Sequence, residues 1–141
     1  MIFWDSSAIV PLLLAESPRK LLLDLLKHDP AIIVWWATPV ECASAIARRE
    51  RDGGLRAAEA NRALDRLYGL TAEWHEVLPS DAVRSTAQRM LRVHPLRAAD
   101  SLQLAAAFIA AEHEPASLSL VSLDQRLVEA ADREGFRTIP L

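Results

Sequence analysis

Asp5, Glu41, Asp100 and Asp124 are the residues of this sequence best placed to do chemistry, because each stands where an apolar segment ends or a helix begins. Their local patterns are Ile2-Phe3-Trp4-Asp5-Ser6-Ser7, Thr38-Pro39-Val40-Glu41, Leu96-Arg97-Ala98-Ala99-Asp100-Ser101-Leu102 and Leu120-Val121-Ser122-Leu123-Asp124. In an α/β fold, junctions of this kind lie along one edge of the sheet, where ligands bind. Carboxylates gathered there repel one another unless a positive charge sits between them, and a divalent metal would supply it.

The elements that must position these acids follow from the apolar patterning. Met1–Trp4, Ile32–Trp35, His75–Leu78, Leu118–Ser122 and Thr138–Pro140 read as strands, short and mostly rich in β-branched or bulky residues. Between them, helices are expected at Ser6–Leu14, at Ser17–His28 with Ser17 as N-cap and Pro18 at N1, and from Thr38 to about Arg51. Further helices are expected over Arg56–Tyr68 ending near Gly69, from the Ser80 cap to His94, over Leu96–Ala111, and over Asp124–Glu134 ending at Gly135. This alternation predicts an α/β sandwich with a mainly parallel central sheet. With 141 residues and no linker, repeat or low-complexity tract, one domain covering 1–141 is expected.

Each acid also has a purely structural reading. Asp5 and Asp124 are good N-caps for the helices that follow them. Thr38-Pro39-Val40-Glu41 matches a capping box in which Glu41, at N3, reaches back to the Thr38 amide. Asp100 would interact well with a helix macrodipole. Its neighbours Ala98, Ala99, Leu102, Leu104 and Ala105 imply limited exposure, however, and a partly buried Asp needs a partner. Ser6 and Ser122 stand close enough in sequence to support the acids.

Composition narrows the class. Hydrophobic residues make up 51% and charged residues 25%, as in a folded globular protein rather than a disordered one. No apolar run reaches the ~20 residues of a membrane span, and the N-terminus lacks the basic stretch of a signal peptide. The single cysteine, Cys42, excludes an internal disulfide framework and a cysteine-based zinc site, so a reducing, cytoplasmic setting is expected. A net charge of −3 argues against broad nonspecific nucleic-acid binding without excluding a nuclease, since metal-site acids enlarge the negative count.

Other residues carry less. His28, His75, His94 and His113 have no ligand-like spacing and read as surface or packing residues. Arg48 and Arg49 follow Glu41 by seven and eight positions, broadly on its helix face, where they would either steer phosphate or form a solvated surface. Trp35 and Trp36 cannot both point inward from one strand, so one is a candidate interface residue. Leu12-Leu13-Leu14 with Leu21-Leu22-Leu23, Leu25 and Leu26 offers a second candidate protein interface, against plain core.

Taken together, the motifs resemble those of PIN-domain ribonucleases, and more narrowly the VapC-type toxins of toxin–antitoxin pairs. The resemblance rests on Trp4-Asp5-Ser6-Ser7-Ala8, on Pro39-Val40-Glu41 with Arg48-Arg49, on the run from Arg97 through Asp100-Ser101-Leu102-Gln103-Leu104 to Ala107, and on Ser122-Leu123-Asp124-Gln125-Arg126-Leu127. Their order and spacing match over essentially the whole chain. The resemblance implies a three-layer α/β/α sandwich and a metal-dependent endoribonuclease in which Asp5, Glu41, Asp100 and Asp124 bind Mg²⁺ or Mn²⁺. Asp5 and Asp100 would be direct ligands, with Glu41 and Asp124 acting through water. It also implies an RNA substrate, a VapB-type antitoxin as inhibitor and a homodimer. The family commonly has histidine where Gln103 stands, a departure expected to lie outside the acid set. A noncatalytic PIN-like module that binds RNA or protein is the alternative, and a nuclease acting on DNA or flap structures ranks below it.

Overall fold

Three consecutive bulky residues, Ile2, Phe3 and Trp4, form the central strand, and their alternation distributes them between two cores. The computed structural model describes Met1–Leu141 throughout. Its strands are β1 (Ile2–Trp4), β2 (Ile32–Trp35), β3 (His75–Val77), β4 (Ser119–Val121) and β5 (Arg137–Thr138). Its helices are α1 (Ser6–Leu13), α2 (Arg19–His28), α3 (Thr38–Arg51), α4 (Ala57–Thr71), α5 (Asp81–Val93), α6 (Ala98–Ala110) and α7 (Gln125–Glu134), with a short 3₁₀ turn at Pro115–Ser117.

The sheet is entirely parallel in the order β3-β2-β1-β4-β5. Ile2, Trp4, Ile32, Val34 and Val121 enter one core with residues of α1 to α4. Phe3, Ile33, Trp35 and Leu120 enter the other with residues of α5 to α7. The period of two along each strand therefore builds the expected α/β/α sandwich. The chain winds outward from β1 to β3, then returns to place β4 on the other side of β1. The carboxyl ends of β1 and β4 thus flank a topological switch point, the place where open α/β sheets bind ligands.

Several expected boundaries move. Ser17 does not cap α2, which begins at Arg19 after Pro18 in a non-helical conformation and has no side-chain cap. Gly69 lies inside α4, whose packing through Ala60, Ala63 and Leu67 carries the helix on to Thr71. Helix α6 starts at Ala98 rather than Leu96, and the terminal strand is Arg137–Thr138 rather than Thr138–Pro140. The leucine-rich stretch mostly joins the core: Leu12, Leu13, Leu14 and Leu22 are buried, Leu23, Leu25 and Leu26 are partly buried against them, and Leu21 is exposed. Trp35, the last residue of β2, is buried, while Trp36 lies in the turn beyond the strand and is half exposed.

Gly135 does end α7, with φ at 99° in the left-handed region. There a Cβ would meet nothing closer than Pro115 Cβ at 3.8 Å, so the cost of a side chain is backbone strain alone. Gly135→Ala is expected to lower stability by about 1–2 kcal/mol. Gly69→Ala, at a helical position where an added Cβ has nothing within 4 Å, is expected to raise it by roughly 0.5–1 kcal/mol. Urea unfolding of the two variants checks both signs.

Candidate active site

Asp5 follows β1 directly and is only 4% exposed. Its backbone N–H donates to Val121 O at 3.1 Å, extending the β1–β4 ladder by one step. That step brings the next residue of the β4 chain, Ser122, alongside it. Asp5 Oδ2 accepts from Ser7 Oγ at 2.5 Å, from Ser122 Oγ at 2.8 Å and from the Ser7 amide at 3.3 Å. All three bonds fall on Oδ2, and Oδ1 accepts none. Ser7 Oγ in turn accepts from the Leu123 amide at 2.9 Å and Ser122 Oγ from the Asp124 amide at 3.0 Å, so the two hydroxyls are fixed from both sides. Ser122 was legible in the sequence; Ser7, its equal partner, was visible only as part of the motif around Asp5.

Glu41 does not close the expected capping box. Helix α3 begins at Thr38 with Ala37 as N-cap, which moves Glu41 one position too far along to reach back. Its carboxylate turns instead toward neighbouring elements, accepting from Ser6 Oγ at 2.7 Å on Oε2 and from Gln103 Nε2 at 3.2 Å on Oε1. Gln103 Nε2 also donates to Thr38 Oγ1 at 3.1 Å. Gln103, not itself one of the acids, therefore holds one of them in place. The signal for this was a polar side chain in an otherwise apolar helix, since a buried amide requires partners.

Asp100, half-buried in the first turn of α6, accepts from the Arg97 amide at 3.2 Å on Oδ2, leaving Oδ1 without a donor. Asp124 is the N-cap of α7 and accepts from the Arg126 amide at 3.0 Å. Its own amide reaches Ser122, so Asp124 joins the cluster through that hydroxyl rather than through its carboxylate.

Electrostatics separates the four in the same way. Burial pushes the Asp5 carboxyl above its ordinary range, against the pull of the Ser7 and Ser122 hydrogen bonds, and the Asp100 charge adds to the rise. Burial likewise raises Glu41, opposed by Ser6 and Gln103 and reinforced by Asp5 and Asp100. The Cys42 thiol, buried beside them, is pushed up to about 12 by burial first and then by Glu41 and Asp5. Asp5, Glu41 and Asp100 thus share one negative field. No three Asp, Glu, His or Cys side chains stand close enough in this conformation to enclose a metal ion. Each carboxylate is instead held by neutral donors of its own.

A groove of about 650 Å³ opens beside the acids, lined by Ser6, Ser7 and Glu41 at one end and by Ser44, Arg48 and Arg49 along α3. Of the histidines, His28, His75 and His113 are exposed, and His94 is buried with Nε2 2.8 Å from Glu134 Oε2. None contributes to the acid cluster. The profile of the PIN domain matches residues 2–133. The chain belongs to the PIN domain family. FitAcB from Neisseria gonorrhoeae has a similar structure, with a TM-score of 0.69 and 17% identity over 99% of this chain and 97% of that one. FitAB bound to an IR36 DNA fragment is similar at a TM-score of 0.68 and 15% identity, covering 99% and 94% of the respective chains. At these identities the likeness is one of fold. Comparison with curated proteins returned no match. PIN domains are generally nucleases and typically use divalent metals.

The raised Asp5 carboxyl has a consequence for stability. A group whose folded pKa lies above its unfolded one withdraws stability as pH rises from the unfolded value through the folded value. In metal-free buffer, Asp5→Asn is therefore expected to be more stable than the parent at neutral pH, by roughly 1 kcal/mol. The gain should shrink on acidification toward the ordinary Asp value of 3.8. Thermal unfolding of both proteins from pH 4 to 8 tests this; a difference independent of pH would count against it.

Proposed function

We propose that this PIN domain is a Mg²⁺- or Mn²⁺-dependent endoribonuclease, the toxin of a VapC-type toxin–antitoxin pair, hydrolysing RNA phosphodiester bonds. The observation that carries the reading is the common field of Asp5, Glu41 and Asp100 at the switch point of the sheet, beside an open groove. Carboxylates are kept together in this way, at a cost in stability, where a cation is to be bound.

The donor set suits a hard cation. It consists of carboxylate and hydroxyl oxygens, while the one thiol nearby, Cys42, is held neutral. Mg²⁺ takes oxygen ligands, keeps several waters and needs only one or two carboxylates, so the absence of a closed protein cage is compatible with it. Asp5 and Asp100 would hold the ion, since each has an oxygen, Oδ1, that accepts no hydrogen bond. Glu41 and Asp124 would contribute through water. A bound divalent ion supplies Lewis-acid polarisation of the phosphoryl group and offsets the charge that develops on it. Ser7 and Ser122 aim the Asp5 carboxylate; Ser6 and Gln103 aim Glu41. Glu41, made more basic by burial and by the charges of Asp5 and Asp100, orients the attacking water and takes its proton as the water oxygen bonds to phosphorus; the bond from phosphorus to the leaving oxygen breaks and that oxygen takes a proton from solvent.

We take residues 1–141 as one domain acting in the cytoplasm, with RNA as substrate, a VapB-type antitoxin as inhibitor and a homodimer as the working unit. These partners rest on the sequence resemblance. No helix is long and apolar enough to cross a membrane. One observation favours a noncatalytic RNA- or protein-binding module instead, namely that no three acids are drawn together in advance of a metal.

Purified Asp5→Asn and Asp100→Asn proteins are expected to lose Mg²⁺-dependent RNA cleavage by roughly 10²-fold or more, and their expression to lose any growth arrest, with circular dichroism unchanged. Undiminished cleavage by folded Asp100→Asn would remove the site assignment. If neither Mg²⁺ nor Mn²⁺ alters thermal stability or RNA cleavage of the parent protein, the noncatalytic reading takes over.

A further inference from the structure

The groove beside the acids has two electrical ends. Glu41, Ser44 and Arg48 all line it from α3. Their spacing of three and seven residues places them in one stripe along the helix. From Glu41 to Arg48 the helix rises about 10 Å, and side chains lean toward the helix N-terminus, so Arg48 leans toward the acids. Two guanidinium groups line the groove, but they are not equivalent. Arg49 is committed: its Nε donates to Glu16 Oε1 at 2.5 Å, its Nη2 to Glu16 Oε2 at 3.0 Å and its Nη1 to Ala45 O at 3.1 Å. Glu16, the other acid lining the groove besides Glu41, is thereby neutralised. Arg48 is exposed and takes part in no ion pair or side-chain hydrogen bond.

An anionic strand brought up to Asp5, Glu41 and Asp100 meets repulsion, and one uncommitted cation in the groove can oppose it. We propose that the Arg48 end of the groove is a second phosphate subsite. It binds a backbone phosphate flanking the one at the acids, and the substrate is therefore a nucleic-acid strand gripped at two points, not a mononucleotide. The proposal rests on the nuclease reading of the acid cluster for what happens at the other end. The planar guanidinium suits a bidentate grip on phosphate oxygens, which an ammonium does not reproduce. Ser44, exposed between the two ends, adds a hydroxyl donor on the path.

Binding can be read apart from cleavage by working in full-length Asp100→Asn protein with a fluorescent single-stranded RNA of mixed sequence. Arg48→Ala in that background is expected to weaken binding about tenfold at low salt and to lower the slope of log affinity against log salt by about 0.7. Arg48→Lys should recover the slope but only part of the affinity, and Arg49→Ala should change the slope less than Arg48→Ala. A single uncharged methylphosphonate walked along the RNA should reproduce the loss at one flanking position and have no further effect there in Arg48→Ala. In the cleaving protein, Arg48→Ala should raise KM with little change in kcat. An unchanged salt slope, no methylphosphonate position silenced by Arg48→Ala, or no binding of RNA or single-stranded DNA at all would each overturn the subsite. Arg48-dependent binding without cleavage by the parent protein would instead keep the subsite and overturn the nuclease reading.

Discussion

Taking an aspartate carboxylate out of water at the end of a central strand carries a desolvation penalty that only fixed donors or a cation can offset. Around Asp5 those donors are the Ser7 amide and two serine hydroxyls, one from its own helix start and one from just past β4. Delivering the second depends on register. The Asp5 amide bonds Val121 O, and a slip of one residue in β4 would turn Ser122 to the opposite face of the sheet. The same slip would exchange Leu120 and Val121 between the two cores. The hydrophobic alternation that stabilises the sandwich is thus also what aims the hydroxyl at the carboxylate.

The remaining acids are arranged on the same plan, each on a different element and each with its own neutral donor. Glu41 comes from α3 and leans on α1 and α6 through Ser6 and Gln103. Asp100 comes from α6 and uses a backbone amide of its own helix start. No arginine or lysine is drawn into direct contact with the three acids, so their charge is left unneutralised. Had a guanidinium been placed there, the cluster would be more stable and unavailable. The helical layers are held by apolar packing, α5 on α6 and α3 on α4.

Much of this was readable from the chain before folding. The alternation of short bulky strands with capped helices specified the layers, and strand ends marked the acids. Two things were not readable, for definite reasons. The fate of Glu41 turned on a one-residue shift in where α3 begins, and local patterns do not resolve such shifts. Gln103 sits 62 residues from Glu41, and a contact at that separation exists only once both helices dock on the sheet. The leucines of α1 and α2 left core and interface both open, because a short helix pair looks overloaded with apolar surface until α3 and α4 are laid against α1.

The outer strands are short and carry charged or polar residues. At one border of the sheet, β3 has three residues, with His75 and Glu76 exposed; at the other, β5 has two, one of them the exposed Arg137. Short, charged borders offer little backbone for another chain to zip onto. A protein so built is guarded against edge-to-edge aggregation.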